Sequence, residues 1–359
     1  MSLIDRIKQW EDDKFSYHKK FINNPYLIAE IGVNHESDLQ TAKNLCLEAK
    51  ESGANAAKFQ TYKAESIASK EAKAYWDLNE NSITSQKELF KKYDSFSKKE
   101  YFELAKYCNE IEIDFMSTPF DTECLTWLNE IVNVFKISSS DLTNKILISQ
   151  IAKLNKNIIL STGASNLNEI KTALEWISNE TNKTVVLNHC ILNYPTQIED
   201  ANLMRILELA NKFPNTIIGY SDHTKPTQDL SILQEASLLG ASVIEKHFTN
   251  DKNLKGNDHF HSMDKHDISN FREAMKKREV LYGEYEIRPL ESEEISRSMA
   301  RRSLVLNKTL LSGTVLKKEH LTAKRPGTGI SPAEIENVLG KSLNKDKEED
   351  TVLKFEDIN

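Results

Sequence analysis

From Tyr26 to about Gly283 the chain repeats one pattern: a short apolar run rich in β-branched and aromatic residues, a polar turn, then a stretch whose apolar positions recur at helical spacing. The apolar runs are YLIAEIG, AAKFQTY, DFMSTPF, VFKISSS, NIILSTG, TVVLNHC, TIIGYSD and SVIEKHF. Amphipathic stretches such as LQTAKNLCLEAKESG, KKEYFELAKYCNEI, LNEIKTALEWISNE and LSILQEASLLG lie between them. Repeated strand-then-helix units without sheet-ending hairpins predict an α/β fold closed into a (β/α)8 TIM barrel, more than an open doubly wound sheet. In nearly every unit the polar residues follow the apolar run. They sit at the strand's C-terminal end, where such barrels build their active sites.

Outside this period the pattern changes twice. From about Arg288 the chain reads as short strands and turns with closely spaced Gly and Pro, which predicts a second, small domain. The first 24 residues form an added segment of helical character before the first strand. The expected division is therefore 1–24 as an N-terminal extension, 25–285 as the barrel, and 286–359 as linker and small domain. A length of 359 residues suits a barrel of about 250 residues with such an appendage.

Composition narrows the class. With 39% hydrophobic and 28% charged residues, and only 11 Gly and 8 Pro, the chain has the make-up of a globular protein. A formal charge of -7, with Lys and Arg spread along the chain, gives no general reason to bind nucleic acid, so any anion site is local. No run approaches the roughly 18 apolar residues of a membrane span, and the N-terminal residues hold no continuous apolar stretch of signal-sequence type. Cys46, Cys108, Cys124 and Cys190 form no CxxC pair, which argues against a disulfide scaffold or zinc knuckle and fits a reducing cytoplasm.

Candidate chemistry gathers at the strand ends. His223 in YSDHT and His247 in IEKHF follow the seventh and eighth runs, so a barrel would bring both imidazoles to one rim, where neutral His is a common metal ligand. Asp222 and Glu245 stand nearby as carboxylates that could orient them. Lys58 and Lys136 lie near the inner ends of apolar strands, an expensive place for an ammonium unless an anion meets it. With Thr118, Ser139, Ser161 and Ser221 they form a ring of cations and hydroxyl donors suited to phosphate or carboxylate, although each hydroxyl is equally a helix cap. Glu30 and Asp141 are placed as general acids or bases, as groups that hold a metal-bound water, or as plain ion-pair partners of Lys58 or Lys136, and spacing does not choose. The polar loop KGNDHFHSMD after the eighth run carries Asp258, His259 and His261 where a substrate lid would be.

These residues resemble the sialic acid synthase family, which includes the N-acetylneuraminate, legionaminate and pseudaminate synthases. The motifs are AEIGVNHESDL, AAKFQTY, STPFD, KISSSD, LSTGAS, HCILNYPT, IGYSDHT and IEKHFT, in the family's order, and the tail with KRPGTGI is similar to its antifreeze-like (SAF, β-clip) domain. The resemblance covers nearly all of the chain after the first 24 residues. It implies a transferase that condenses phosphoenolpyruvate with an open-chain N-acylated aminosugar, N-acetylmannosamine or a related 2,4-diacetamido hexose, releasing phosphate by C–O cleavage. It further implies a domain-swapped homodimer and a divalent metal, commonly manganese, with magnesium or cobalt as alternatives, held by His223 and His247. Phosphoenolpyruvate would meet Lys58, Thr118, Lys136, Ser139, Ser161 and Ser221. The sugar would meet Gln60, Asn81, Tyr194 and Asp258, with Arg325 supplied by the partner subunit. Within that reading Glu30 is the candidate for proton handling or for steadying the cationic carbon, and Asp141 for orienting a metal-bound water.

One departure stands out. Before Tyr194 the chain reads Ile191, Leu192, Asn193 where several family members carry a small polar pair, so a hydrogen bond to phosphate is either lost or moved to Asn193. Two rival readings remain: another barrel sugar-acid synthase or Schiff-base aldolase, and a carbohydrate- or ice-binding protein suggested by the C-terminal domain alone.

Overall fold

The computed structural model describes residues 2–12, 24–74, 76, 78, 82–227, 230–256, 258–284 and 286–359. The chain divides into two compact units, Met1–Gly283 and Glu284–Asn359.

In the first unit all eight apolar runs are strands: β1 Tyr26–Gly32, β2 Ala56–Thr61, β3 Asp114–Pro119, β4 Val134–Ile137, β5 Asn157–Ser161, β6 Val185–Cys190, β7 Ile217–Asp222 and β8 Val243–His247. They form a ladder in the order β3-β2-β1-β8-β7-β6-β5-β4, with every pairing parallel. The end strands β3 and β4 lie side by side and close the barrel. Helices return the chain between strands, among them Leu39–Ser52, Lys98–Glu110, Lys145–Lys153, Leu167–Ser178 and Lys265–Tyr282. Their starts follow local chemistry: Ser97 and Glu100 form a capping box, as do Asn166 and Glu169.

Strand alternation sorts the side chains. One set faces the helices and builds the main core, including Leu27, Ala29, Ile31, Phe59, Phe135, Leu160, Leu187, Tyr220 and Ile244. The other set faces the barrel axis, and its polarity rises along that axis. At the N-terminal end Tyr26, Ile28, Ala56, Met116, Val134, Ile159, Val186 and Val243 form a separate apolar cluster. Two residues further along the strands come Lys58, Lys136, Asn188 and Glu245, all buried. Gly219 belongs to this layer because a Cβ there would stand 2.1 Å from Asn188 Oδ1.

The N-terminal segment closes the apolar end. Helix α1, Leu3–Asp12, places Leu3, Ile7 and Trp10 on one face at helical spacing, and all three join the cluster at the barrel base. The Leu3 N–H donates to Asp114 Oδ2 at 2.9 Å, and the Tyr26 hydroxyl donates to the same oxygen at 2.5 Å. A plug of this kind keeps water from the base, so the barrel opens at the strand C-termini.

The second unit is small. Strand β9 Ser303–Leu306 pairs antiparallel with β10 Leu321–Lys324, and Leu304, Leu306, Leu316, Ile330, Val338, Leu343 and Leu353 form its core.

Candidate active site

At the C-terminal ends of the strands a cavity of about 700 Å³ opens into the barrel. Its floor is the charged layer. Lys58 Nζ lies 2.5 Å from Glu30 Oε2 and 3.5 Å from Glu245 Oε1, and Lys136 Nζ lies 3.6 Å from the same Glu245 oxygen. All four side chains are less than a tenth exposed. Burial works against the Lys58 ammonium, but Glu245 and Glu30 outweigh it and hold its pKa above the ordinary lysine value. Burial likewise raises the Glu245 carboxyl, yet Lys136 and Lys58 prevail and bring it down to about 2. The lysines are therefore met by carboxylates of the protein itself, and Glu30 is an ion-pair partner as well as a wall of the cavity.

Hydroxyls surround this floor. Thr118 Oγ1 accepts from Lys58 Nζ at 3.0 Å, and Ser139 Oγ accepts from the Gly163 N–H at 2.9 Å, so each keeps its own hydrogen to donate. A Cβ at Gly163 would come within 2.8 Å of Ser139 Oγ, which explains the glycine of LSTGAS. Ser221 Oγ stands 3.5 Å from Glu245 Oε1, and Ser161 Oγ is buried without a hydrogen-bond partner. Gln60 Nε2 donates to Glu30 Oε1 at 3.0 Å. Asp141 also lines the cavity; burial raises its pKa, and its Oδ1 accepts from Asn144 Nδ2 at 3.0 Å.

On the β7–β8 side the histidines meet. The rings of His223 and His247 are centred 5.5 Å apart, and Tyr194 packs on His223 at 4.1 Å. His223 Nδ1 lies 2.7 Å from the Ile191 carbonyl oxygen. A carbonyl only accepts, so Nδ1 carries a hydrogen, and the neutral form of the ring has its lone pair on Nε2. His247 Nδ1 is 3.3 Å from Asp258 Oδ2, and the loop after β8 adds His261, centred 4.8 Å from His247. Burial lowers the His247 pKa but the Asp258 carboxylate more than restores it, leaving it raised. Burial and then the neighbouring His247 push His261 well below the ordinary histidine value.

Could these residues hold a divalent cation? Ligand atoms of His247, Asp258 and His261 all lie within 4.8 Å of one another, and both ring nitrogens of His261 are buried without a hydrogen-bond partner. Nitrogen and carboxylate donors of this kind suit manganese or its first-row neighbours. The residues fit the group.

The structure also revises particular expectations. Asp222 and Glu245 make no direct hydrogen bond to the histidines: Asp222 is held by Lys246 at 2.5 Å, and Glu245 sits between the lysines. The carboxylate beside His247 is Asp258, and His261 joins it, whereas His259 is turned away to Glu36 at 3.1 Å and Thr249 at 2.7 Å. In the Ile191–Leu192–Asn193 segment it is Leu192 that lines the cavity, while Asn193 is exposed. Arg325 belongs to the second unit and is exposed, and Asn81 lies outside the described residues.

Above the floor, the β1–β3 side of the mouth is apolar. Val33, Tyr62, Leu89 and Tyr93 form a cluster with Ile67, Trp76, Phe90 and Phe120 packed on it, and all of them line the cavity. Tyr62 meets Phe90 and Phe120 edge to face at 5.4 and 6.1 Å.

A family model described as the NeuB family matches residues 45–286, and one described as the SAF domain matches residues 301–359. The chain is 39% identical to the N,N'-diacetyllegionaminic acid synthase of Legionella pneumophila, over 93% of this chain and 94% of that protein. It is also 39% identical to the synthase of the same name from Campylobacter jejuni, over 91% and 98%. Among solved structures, it resembles an N-acetylneuraminic acid (sialic acid) synthetase from Leptospira borgpetersenii in complex with citrate, at 33% identity and a TM-score of 0.66, over 77% of this chain and 90% of that one.

Proposed function

The chain belongs to the NeuB family, and from that membership we propose that it condenses phosphoenolpyruvate with an open-chain N-acylated aminosugar to give a nonulosonic acid and phosphate. The observation that carries this reading is that the Lys58–Glu245–Lys136 array, a ring of hydroxyl donors and two neighbouring imidazoles line one cavity. Phosphate oxygens take charge-assisted hydrogen bonds from Lys58 and Lys136, and neutral ones from Thr118, Ser139, Ser161 and Ser221. Leu192 adds no side-chain donor to this set.

His247, Asp258 and His261, with the His223 ring centred 5.5 Å from that of His247, would hold a divalent cation, which would supply Lewis-acid polarisation of a sugar aldehyde. Lys58 and Lys136 fix the enol phosphate so that its C3 attacks the aldehyde carbon and a new C–C bond forms. Positive character then develops at C2. Glu30, in the charged layer, takes a proton from the water that adds there and passes it on to the former aldehyde oxygen, which becomes a hydroxyl, while Asp141 orients that water and its second proton leaves with the phosphate. The adduct collapses with cleavage between C2 and the bridging oxygen, which leaves with phosphate. Gln60, Tyr194 and Asp258 are assigned to the sugar, with Asn81 and Arg325 carried over from the family pattern.

The apolar wall of Tyr62, Phe90 and Phe120 favours a doubly N-acylated hexose over N-acetylmannosamine, because a second acyl methyl would be buried against it. A domain-swapped dimer, with Arg325 reaching the partner's sugar, is supported by the exposed apolar side chains of Ile287, Leu290, Ile295 and Met299 at the start of the second unit. Among the described residues no helix is long and apolar enough to cross a membrane; a cytoplasmic location is proposed on the four free, buried cysteines. Phosphate release on mixing with manganese, phosphoenolpyruvate and a panel of N-acyl hexosamines tests the reading. With bridging-oxygen label, the label is expected in phosphate; its retention in the sugar acid would refute C–O cleavage.

A further inference from the structure

On an alternating strand, the residue before a cavity-facing histidine faces the surrounding helices. Asp222 and Lys246 occupy those two positions on β7 and β8, and the ladder pairs them Cα to Cα. The alternation is visible on both strands. Ser221, His223, Glu245 and His247 line the cavity, while Tyr220, Ile244 and Phe248 belong to the outer core.

The outward pair is dry. Both side chains are 0% exposed, and Lys246 Nζ stands 2.5 Å from Asp222 Oδ2. Lys246 also donates to the Thr224 carbonyl at 2.6 Å. The carboxylate accepts three further bonds: from the Tyr220 hydroxyl at 2.8 Å, and from the Thr224 N–H and hydroxyl at 3.0 Å each. Solvent reaches neither side chain, so a slide of β7 against β8, or a turn of residues 222–224, would leave charges uncompensated. His223 and His247 are the next residue along each strand, and they inherit this fixity.

We propose that Asp222 and Lys246 are positioning residues, whose buried bridge sets the separation and facing of His223 and His247 before any cation or substrate arrives. The bridge touches neither cavity nor ligand. Its effect passes through one peptide unit on each strand, and the far side of the turn is pinned as well, since the His223 carbonyl accepts from the Thr196 N–H at 2.9 Å. Sites of this kind lose affinity steeply when their supporting shell loosens.

A purely structural bridge would change only stability, so the test must separate stability from cation affinity. Removing one partner leaves a buried charge, whereas neutralising both with groups of similar size is often tolerated. The variant is therefore Asp222→Asn with Lys246→Met. Manganese alone is titrated calorimetrically into wild type and variant, the metal-free proteins are melted in parallel, and kcat and the KM for phosphoenolpyruvate are measured. The double variant is expected to bind manganese roughly 10- to 100-fold more weakly. Its kcat should fall by a similar factor, while KM for phosphoenolpyruvate moves by less than about 3-fold. Equal manganese affinity and equal kcat, whatever the melting temperature, overturn the proposal. Should the double variant not fold, Thr224→Val removes one donor and keeps the ion pair: weaker manganese binding supports the role, and unchanged binding overturns it. The inference rests on the proposed synthase reading for its cation. A wild type that neither binds manganese nor releases phosphate overturns both, whereas an active wild type matched by its variants overturns the positioning role alone.

Discussion

The Glu30 carboxylate and the Lys58 ammonium lie 2.5 Å apart at the floor of the cavity, both buried, so Lys58 is already paired before an anion arrives. An incoming phosphate has to share that ammonium. Were Glu30 only a counter-ion, Glu30→Gln would free Lys58, lower the KM for phosphoenolpyruvate and spare turnover. With the proton-handling role proposed above, kcat instead falls by roughly 100-fold while that KM falls or holds. Steady-state kinetics over both substrates separate the outcomes, and a preserved kcat would remove Glu30 from the chemistry.

His261 is the second case. Its ring is fully buried, neither nitrogen has a hydrogen-bond partner, and its pKa is held well below the ordinary value, so it stays neutral with a lone pair available. That is a costly arrangement for a side chain with nothing to bind. His261→Ala is expected to weaken manganese binding at least about 10-fold, as loss of a ligand should. Unchanged affinity in a calorimetric titration would restrict the site to the other residues.

How much of this was legible beforehand depends on what carried the signal. The strands were readable because each is buried on both faces and bounded by polar turns, so all eight runs reappear as β1 to β8. The cavity residues on strand ends, such as Lys58, Thr118, Lys136 and Ser221, were readable for the same reason: once the strand is placed, its C-terminal end is the mouth. Loop geometry was not. That Asp258 and His261 turn inward to His247 while His259 turns out to Glu36 depends on how residues 258–261 fold, and no periodicity encodes it. Nor did sequence say that Glu245 serves two lysines rather than a histidine. Its inward phase was visible from the alternation IEKHF, but its partners come from β2 and β4, distant along the chain.

Helix α1 yields a prediction about stability alone. Trp10 and Ile7 pack into the apolar base of the barrel, at the opposite end of the strands from the cavity. Trp10→Ala should cost about 3 kcal/mol, by analogy with large-to-small changes in other cores. Thermal and denaturant melts measure it. In the cold, where the variant remains folded, its kcat and KM values are expected to match wild type; a change in kcat would tie the plug to the chemistry.

The swapped-domain arrangement can be tested without a structure of the dimer. His223→Ala damages the barrel's cation site, and Arg325→Ala damages the proposed sugar contact of the small domain, so each variant alone should be nearly inactive. Co-refolded in equal amounts, they pair at random, and about half the dimers are mixed. If a site joins one subunit's barrel to the other's small domain, every mixed dimer holds one site made of two undamaged parts. About a quarter of wild-type activity should then return. If each site is built from a single chain, no mixed dimer contains an intact site and the mixture stays as inactive as its components. Recovery measured as phosphate release therefore decides whether Arg325 serves its own barrel or its neighbour's.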